Sequence, residues 1–386
     1  MTTRFEMWIR NLSTAALIIF VCVLLFLAAY MAGSALAVQD LAQYWSAAHL
    51  VKTDPYSFEL VAQFEHAQGI HNDNPPLVLK NPPWAIPFFL PLGLFSYRVS
   101  FAFWTLFSVL VFIGCTHAIW REMRPHTVPT PLYLTLLFGP AIVQLMLGQW
   151  TILAFLGVTV FLIAAERRQD WIAGSSLVLV FGKPHVALLF LLAVALWTVV
   201  YRRWRIAISA SLALLGASLI VESLNPNIWV QFLARTTQVL HETEAYPNLG
   251  GMLYLISGVH ALGLVPQLAG VVWLGFYFNK HWRNWSWWDH GTMVILCSVV
   301  FSYYSYPYDE ILAIPALLVA FPKASLNRRF FLIPFLIADL GYALYLTDMV
   351  GRFGYGYMFL FWTATGWLIT CLASPRRNSA LSESSQ

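Results

Sequence analysis

Charge is what this chain has least of. Only 10% of its 386 residues are Asp, Glu, Lys or Arg, against roughly a quarter in an ordinary soluble domain. With 59% hydrophobic and 16% aromatic residues and a mean hydropathy of +0.66, this scarcity excludes a soluble globular enzyme and implies an all-α polytopic membrane protein. No polar stretch is long enough to fold separately, so one integral-membrane domain is expected over residues 1–373. Cysteine is also scarce. Cys22, Cys115, Cys297 and Cys371 stand far apart in apolar segments, without zinc-like spacing or a disulfide framework. Nucleophile signatures of the Ser-His-Asp or Cys-His kind are missing, as is a glycine-rich phosphate loop, which weighs against hydrolase and ATPase chemistry. No Asp-x-Asp pair lies near Asp40 to hold a divalent cation. Nor is there a fixed-period repeat. The formal charge of +4 does not point to nucleic acid, because the basic residues form short clusters between apolar runs and read as topology signals.

What the chain does have is a long series of apolar runs. Arg4 and Arg10 precede the first, about Thr14 to Ala37, which places the N-terminus in the cytoplasm. Ala35-Leu36-Ala37 resembles a signal-peptidase site, but the run has the length of a spanning helix, so an uncleaved anchor is expected. Asp40 then emerges outside. Residues 38–98 form a first extracytoplasmic loop with helical periodicity: Leu41, Tyr44, Trp45 and Ala48 share one stripe, and Leu60, Phe64 and Ala67 share another. Two short amphipathic helices on the membrane surface are predicted, followed by an interfacial or re-entrant piece between Pro82 and Ser96, where four prolines interrupt a short apolar run. Beyond it, runs such as Val99–Trp120, Val128–Leu147 and Thr151–Ala165 alternate with basic clusters. Trp171–Phe181 and Val186–Val200 are each short and are joined by Lys183-Pro184-His185, which predicts two half-length helices meeting at Lys183. A second outer loop covers 222–251. The pattern gives about 12 transmembrane helices, both termini inside, and a disordered cytoplasmic tail over 374–386.

The polar residues assigned to the outer side are few, and each has a structural reading beside a functional one. Asp40 is the first carboxylate past an apolar run, hence a functional candidate. It also stands three residues before Gln43, as in a capping box. Asp54-Pro55 reads as a helix cap with proline at the first helical position. Lys183, flanked by apolar helices, costs roughly 2.5 to 3.5 kcal/mol at membrane depth if unpaired. It therefore calls for an anionic ligand or an ion-pair partner such as Asp309. Tyr303, Tyr304, Tyr306 and Tyr308, which run into Asp309 and Glu310, suit either an interfacial belt or a sugar site. His66, His71 and Asp73 are spaced too loosely for a convincing metal site.

Several of these residues together resemble glycosyltransferase family 87. The resemblance rests on Asp40-Leu41-x-x-Tyr44-x-x-Ala47-Ala48-x-Leu50, Asp54-Pro55-Tyr56, Asn81-Pro82-Pro83-Trp84 with Pro91-Leu92, Gly148-Gln149, Ala173-Gly174, Lys183-Pro184, Arg202-Arg203-Trp204-Arg205 and Tyr306-Pro307-x-Asp309, in that order. It implies a GT-C type membrane enzyme that takes a hexose, mannose in particular, from a polyprenyl-phosphate sugar donor and passes it to a lipid or glycan acceptor at the extracytoplasmic face of a bacterial inner membrane. Asp40 matches the expected base and Lys183 a phosphate-binding position. His185, Arg235 and Arg352 join Lys183 by side and charge, while Tyr44, Asp54, Gln149, Tyr308 and Asp309 are the candidate sugar and acceptor contacts. No metal or other cofactor is expected, and the partners are these substrates and membrane lipids. In one respect the chain departs from the family pattern: the 303–310 segment lacks a histidine, for which Tyr308 or Asp309 would substitute. The rival reading is a transporter or lipid flippase built around a Lys183/Asp309 charge pair at the midplane.

Overall fold

The computed structural model describes residues 26–28, 30–31, 40–70, 77–123, 130–239, 246–323, 328–350 and 356–373. The expected first span, His71, Asp73, His241, Arg352 and the 374–386 tail lie largely or wholly outside these. Among the described residues the fold is all helical, with no strand. Three helices among the described residues are long and apolar enough to cross a membrane, Tyr97–Met123, Trp204–Leu224 and His260–Asn284. Others, including Thr151–Glu166 and Leu188–Val200, are apolar but shorter, so among the described residues the length criterion does not confirm the expected twelve.

The chain divides into two compact units. The first comprises 1–111, 145–149 and 218–240. Both helices predicted for the first loop are present, at Leu41–Leu50 and Phe58–Ala67, followed by 3₁₀ turns at Pro83–Phe88 and Leu90–Leu94. Their setting differs from the prediction. Residues Leu41 to Ala48 are all buried, because the proline-rich turns cover the helix that was expected to lie on a surface. Tyr44 stacks on Phe89 at 4.2 Å, and the Trp45 indole N–H donates to the Phe95 carbonyl at 3.0 Å. The Phe58–Ala67 helix keeps its amphipathic character, with Val61 and Glu65 buried. It is capped by Ser57, whose hydroxyl accepts from the Leu60 N–H at 3.3 Å, and not by Asp54. Asp54 instead closes a turn by accepting from the Tyr56 N–H at 2.9 Å, the local competition with helix capping that Asp side chains offer. The Ile228–Val239 helix is tied to the same unit: Asn225 and Gln231 both donate to the Thr53 carbonyl, at 2.9 and 2.8 Å.

The second unit holds 112–144, 150–217 and 241–386. Thr151–Glu166 and Asp170–Val180 form a tight hairpin, in which a Cβ on Gly157 would lie 2.8 Å from the Ser176 carbonyl oxygen. Arg203 clamps the start of the second helix through its ion pair with Asp170. Under the hairpin Trp287 is fully buried and meets Phe161 at 4.7 Å, Trp197 at 5.2 Å and Phe190 at 5.7 Å. The expected span Val128–Leu147 is broken into a turn at Tyr133–Leu136 and a helix at Gly139–Leu147. The break falls at Gly139-Pro140, where proline cannot extend a helix from the preceding turn; Asp339 accepts from the Gly139 N–H at 2.7 Å, and a Cβ at 139 would run into the Tyr342 side chain.

The half-helices predicted around Lys183 are Asp170–Val180 and Leu188–Val200. A backbone break in an apolar region leaves polar groups that must find partners inside the protein. Ser298 supplies one from a neighbouring helix: its hydroxyl donates to the Val186 carbonyl at 2.7 Å and accepts from the Leu189 N–H at 3.0 Å.

Candidate functional site

In the first unit Asp40 precedes the Leu41–Leu50 helix but does not cap it. Its backbone is already helical and its side chain makes no capping hydrogen bond, which corrects the capping-box expectation. The carboxylate turns to Gln149, whose Nε2 donates to Oδ2 at 2.5 Å. Gln149 Oε1 in turn accepts from the Tyr44 hydroxyl at 2.6 Å. Asp40 and Tyr44 are four residues apart, so they share one helix face, and the buried Gln149 amide bridges them. Its placement depends on Gly148, which has φ +70° and no room for a side chain: a Cβ there would lie 2.9 Å from Leu41 Cβ. Two predicted contacts, Tyr44 and Gln149, are therefore brought onto the predicted base. Asp54 is not bonded into this group, being occupied with Tyr56 in its own turn. Arg235 is half-buried on the Ile228–Val239 helix.

In the second unit Lys183 is buried, and its ammonium donates to Asp309 Oδ1 at 2.8 Å. Thr151 donates to the same oxygen at 2.6 Å, while Oδ2 accepts from the Tyr306 N–H at 2.9 Å. Asp309 is thus held by three donors; it orients Lys183 and starts the Pro307–Ala313 turn. Lys183 Nζ also lies 4.3 Å from the centre of the Tyr308 ring, a cation–π contact. Gly182 lets the chain approach this point, because a Cβ would enter the Trp150 indole. His185 packs against Tyr304 with ring centres 4.6 Å apart. An imidazole thus reaches the 303–310 segment, which has no histidine of its own.

Three participants escaped the sequence reading. Thr151 is one, although its position two residues after Gln149 was a clue. Glu310 is another: it is buried and accepts from Thr363 at 2.7 Å and from the Trp367 indole at 2.5 Å, contacts no local pattern announces. The third is Asn248, whose side-chain amide donates to the carbonyls of Tyr303 and Ser302, at 3.2 and 3.4 Å, and to Ser305 Oγ at 3.3 Å.

Taken separately, the two groups offer a carboxylate aligned by an amide, which is the equipment of a general base, and a buried ammonium beside aromatic rings, which suits an anionic or carbohydrate ligand. Compared with models of protein families, residues 80–307 match glycosyltransferase family 87, more than half of the chain. The chain belongs to that family. This family 87 glycosyltransferase carries Gln149, Lys183, His185 and Arg235 inside the matched span, whereas Asp40, Tyr44, Asp54, Tyr308, Asp309 and Arg352 fall outside it. Comparison with curated proteins found no match, and comparison with solved structures found none. The enzyme is therefore a glycosyltransferase with membrane-like helices, moving a sugar from a donor to an acceptor.

Proposed function

We propose that the donor is a polyprenyl-phosphate hexose, mannose in the first instance, and that transfer to a lipid or glycan acceptor occurs at the extracytoplasmic membrane face with inversion, in a GT-C type enzyme. The observation that carries this reading is the Asp40–Gln149–Tyr44 relay. A helix-start aspartate that forgoes its cap and is oriented by a buried amide is positioned for chemistry.

In the proposed step an acceptor hydroxyl oxygen attacks the anomeric carbon while the bond from that carbon to the phosphate oxygen breaks. The electron pair of the broken bond leaves with the polyprenyl phosphate, and the hydroxyl proton passes to the Asp40 carboxylate. Gln149 holds that carboxylate in place and Tyr44 fixes the Gln149 amide. Charge growing on the leaving phosphate needs a cationic counterpart, a role assigned to Lys183 with His185, Arg235 and Arg352. Asp309 acts through Lys183. Asp54 and Tyr308 remain proposed sugar or acceptor contacts. No metal enters this scheme, since a monophosphate leaving group can be offset by protein cations.

The Lys183–Asp309 pair is also the feature a transporter reading would use, but family membership favours transfer. The test is purified enzyme in liposomes with radiolabelled polyprenyl-phosphate mannose and a membrane lipid extract as acceptor. Transfer by the wild type, lost in a folded Asp40→Asn protein, is expected. Counterflow of the donor without any transfer would overturn the proposal.

A further inference from the structure

The tyrosines near Lys183 are arranged in a way the reaction above does not require. Tyr246, Tyr304 and Tyr306 touch one another pairwise, with ring centres 4.3, 5.9 and 5.5 Å apart and interplanar angles of 80°, 84° and 80°. Three rings at near right angles form a corner. All three are half-buried. The corner is rigidly founded. Asn248 grips the 302–305 backbone as described, accepts from the Gly251 N–H at 2.7 Å, and its own N–H donates to the Tyr246 carbonyl at 2.8 Å. Even a methyl on Gly251 would strike Tyr246, 1.9 Å from its carbonyl oxygen.

From this corner a continuous line of contacts returns to the charged residues. Tyr306 stacks on Tyr308 at 5.4 Å and 28°, Lys183 lies over Tyr308, and His185 lies against Tyr304. His185 Nε2 is buried and makes no hydrogen bond among the described residues, a costly condition for a polar atom unless a ligand relieves it. Aromatic faces carry partial negative charge that attracts the C–H face of a pyranose, and phenol hydroxyls at the ring edges suit its hydroxyl groups. Few polar groups set among rings is the usual composition of a small-ligand site.

We infer that Tyr246, Tyr304 and Tyr306 form the platform that holds a neutral hexose of the donor, with His185 moved from the phosphate to the sugar, its Nε2 bonding one of the sugar hydroxyls, and Lys183 meeting the phosphate. Rings spaced along one line of contacts match a ligand that is sugar at one end and anion at the other. The inference rests on the polyprenyl-phosphate reading above and adds residues to it: Tyr246 becomes a specificity determinant that discriminates sugar-bearing from bare lipid phosphate.

The experiment compares binding of decaprenyl-phosphate mannose and of decaprenyl phosphate to the full-length enzyme in detergent, by calorimetry, for the wild type, Tyr246→Phe and Tyr246→Ala. Wild type and Tyr246→Phe are expected to prefer the mannosylated lipid about tenfold or more, and Tyr246→Ala to bring the two affinities within about twofold while leaving that for the bare lipid unchanged. Should Tyr246→Ala fail to fold, Tyr246→Leu keeps bulk against Tyr304 without a ring face and takes its place. A preference that survives loss of the ring overturns the platform. Equal wild-type affinities overturn it too, but leave the lipid-phosphate reading standing; a wild type that binds neither lipid overturns both.

Discussion

Asp40 and Asp309 are the same residue type in opposite circumstances. Asp40 is half-buried at the start of a helix, its carboxylate aligned by the neutral Gln149 amide, which is fixed in turn by Tyr44. Asp309 is wholly buried and committed on both oxygens to Lys183, Thr151 and the Tyr306 N–H. A carboxylate held by a neutral donor can take up a proton at modest cost, whereas one that compensates a buried ammonium cannot do so without stranding that charge. Placement in the fold, not residue type, separates a candidate base from a structural anion.

Exchanging each for asparagine tests the contrast most severely. Asp40→Asn is expected to lower transfer by about 10²- to 10⁴-fold, the range a positioned general base contributes, with little change in thermal unfolding. Asp309→Asn is expected to reverse that order of effects, with stability falling by about 3–5 kcal/mol because Lys183 stays buried without its partner. Adding Lys183→Met to Asp309→Asn removes the stranded charge and should recover much of the loss, read as the unfolding midpoint in detergent. If Asp309→Asn unfolds like the wild type, or Asp40→Asn turns over like it, the two carboxylates do not differ as described.

Substitution at Gly148 probes the same contrast from the backbone. Gly148→Ala asks a side chain to adopt φ +70° against Leu41, a strain of about 1–2 kcal/mol. The displacement should move Gln149 off Asp40, and misplacement of this kind costs up to about a hundredfold in rate. A tenfold or greater fall in turnover with only a small change in unfolding midpoint is expected. Full activity would show that Gln149 does not orient the base.

How far these features were readable in advance depends on the range of the interactions behind them. Both helices of the first loop follow from apolar spacing, and the half-helices at Lys183 follow from two short runs joined through Pro184. Asp40, Tyr44 and Gln149 were identifiable as polar residues beside apolar runs and as part of the family resemblance. The capping rule misjudged Asp40 and Asp54 because each found a competing partner, one of them 109 positions away. Residues 128–147 carry a local break signal in Gly139-Pro140, and Asp339 and Tyr342 pack against that glycine from far along the chain. Ser298 repairs the Lys183 break, yet as a lone serine in an apolar run it carried no signal. The Tyr246 corner joins segments nearly sixty positions apart and could be seen only once folded.

The smallest expected effect concerns another buried carboxylate, Glu65, which shares the first unit with Asp40 and has a neutral partner, the Ser46 hydroxyl at 2.9 Å. Its other oxygen has no partner among the described residues. Burial raises its pKa above the ordinary 4.5, and the Ser46 bond opposes this only in part. The folded state therefore holds the Glu65 proton to higher pH than the unfolded chain. Its contribution is fully present below pH 4.5 and is lost as pH rises through the folded value. The loss is at most about 1.4 kcal/mol per pH unit within that window. His49, whose pKa burial lowers from 6.5, acts in the opposite sense, so the informative quantity is the difference between wild type and Glu65→Gln. That difference in unfolding midpoint should shift in favour of the glutamine variant as pH is raised from 4.5 towards 7. A constant difference across the range would mean that Glu65 ionises as freely in the folded protein as in water.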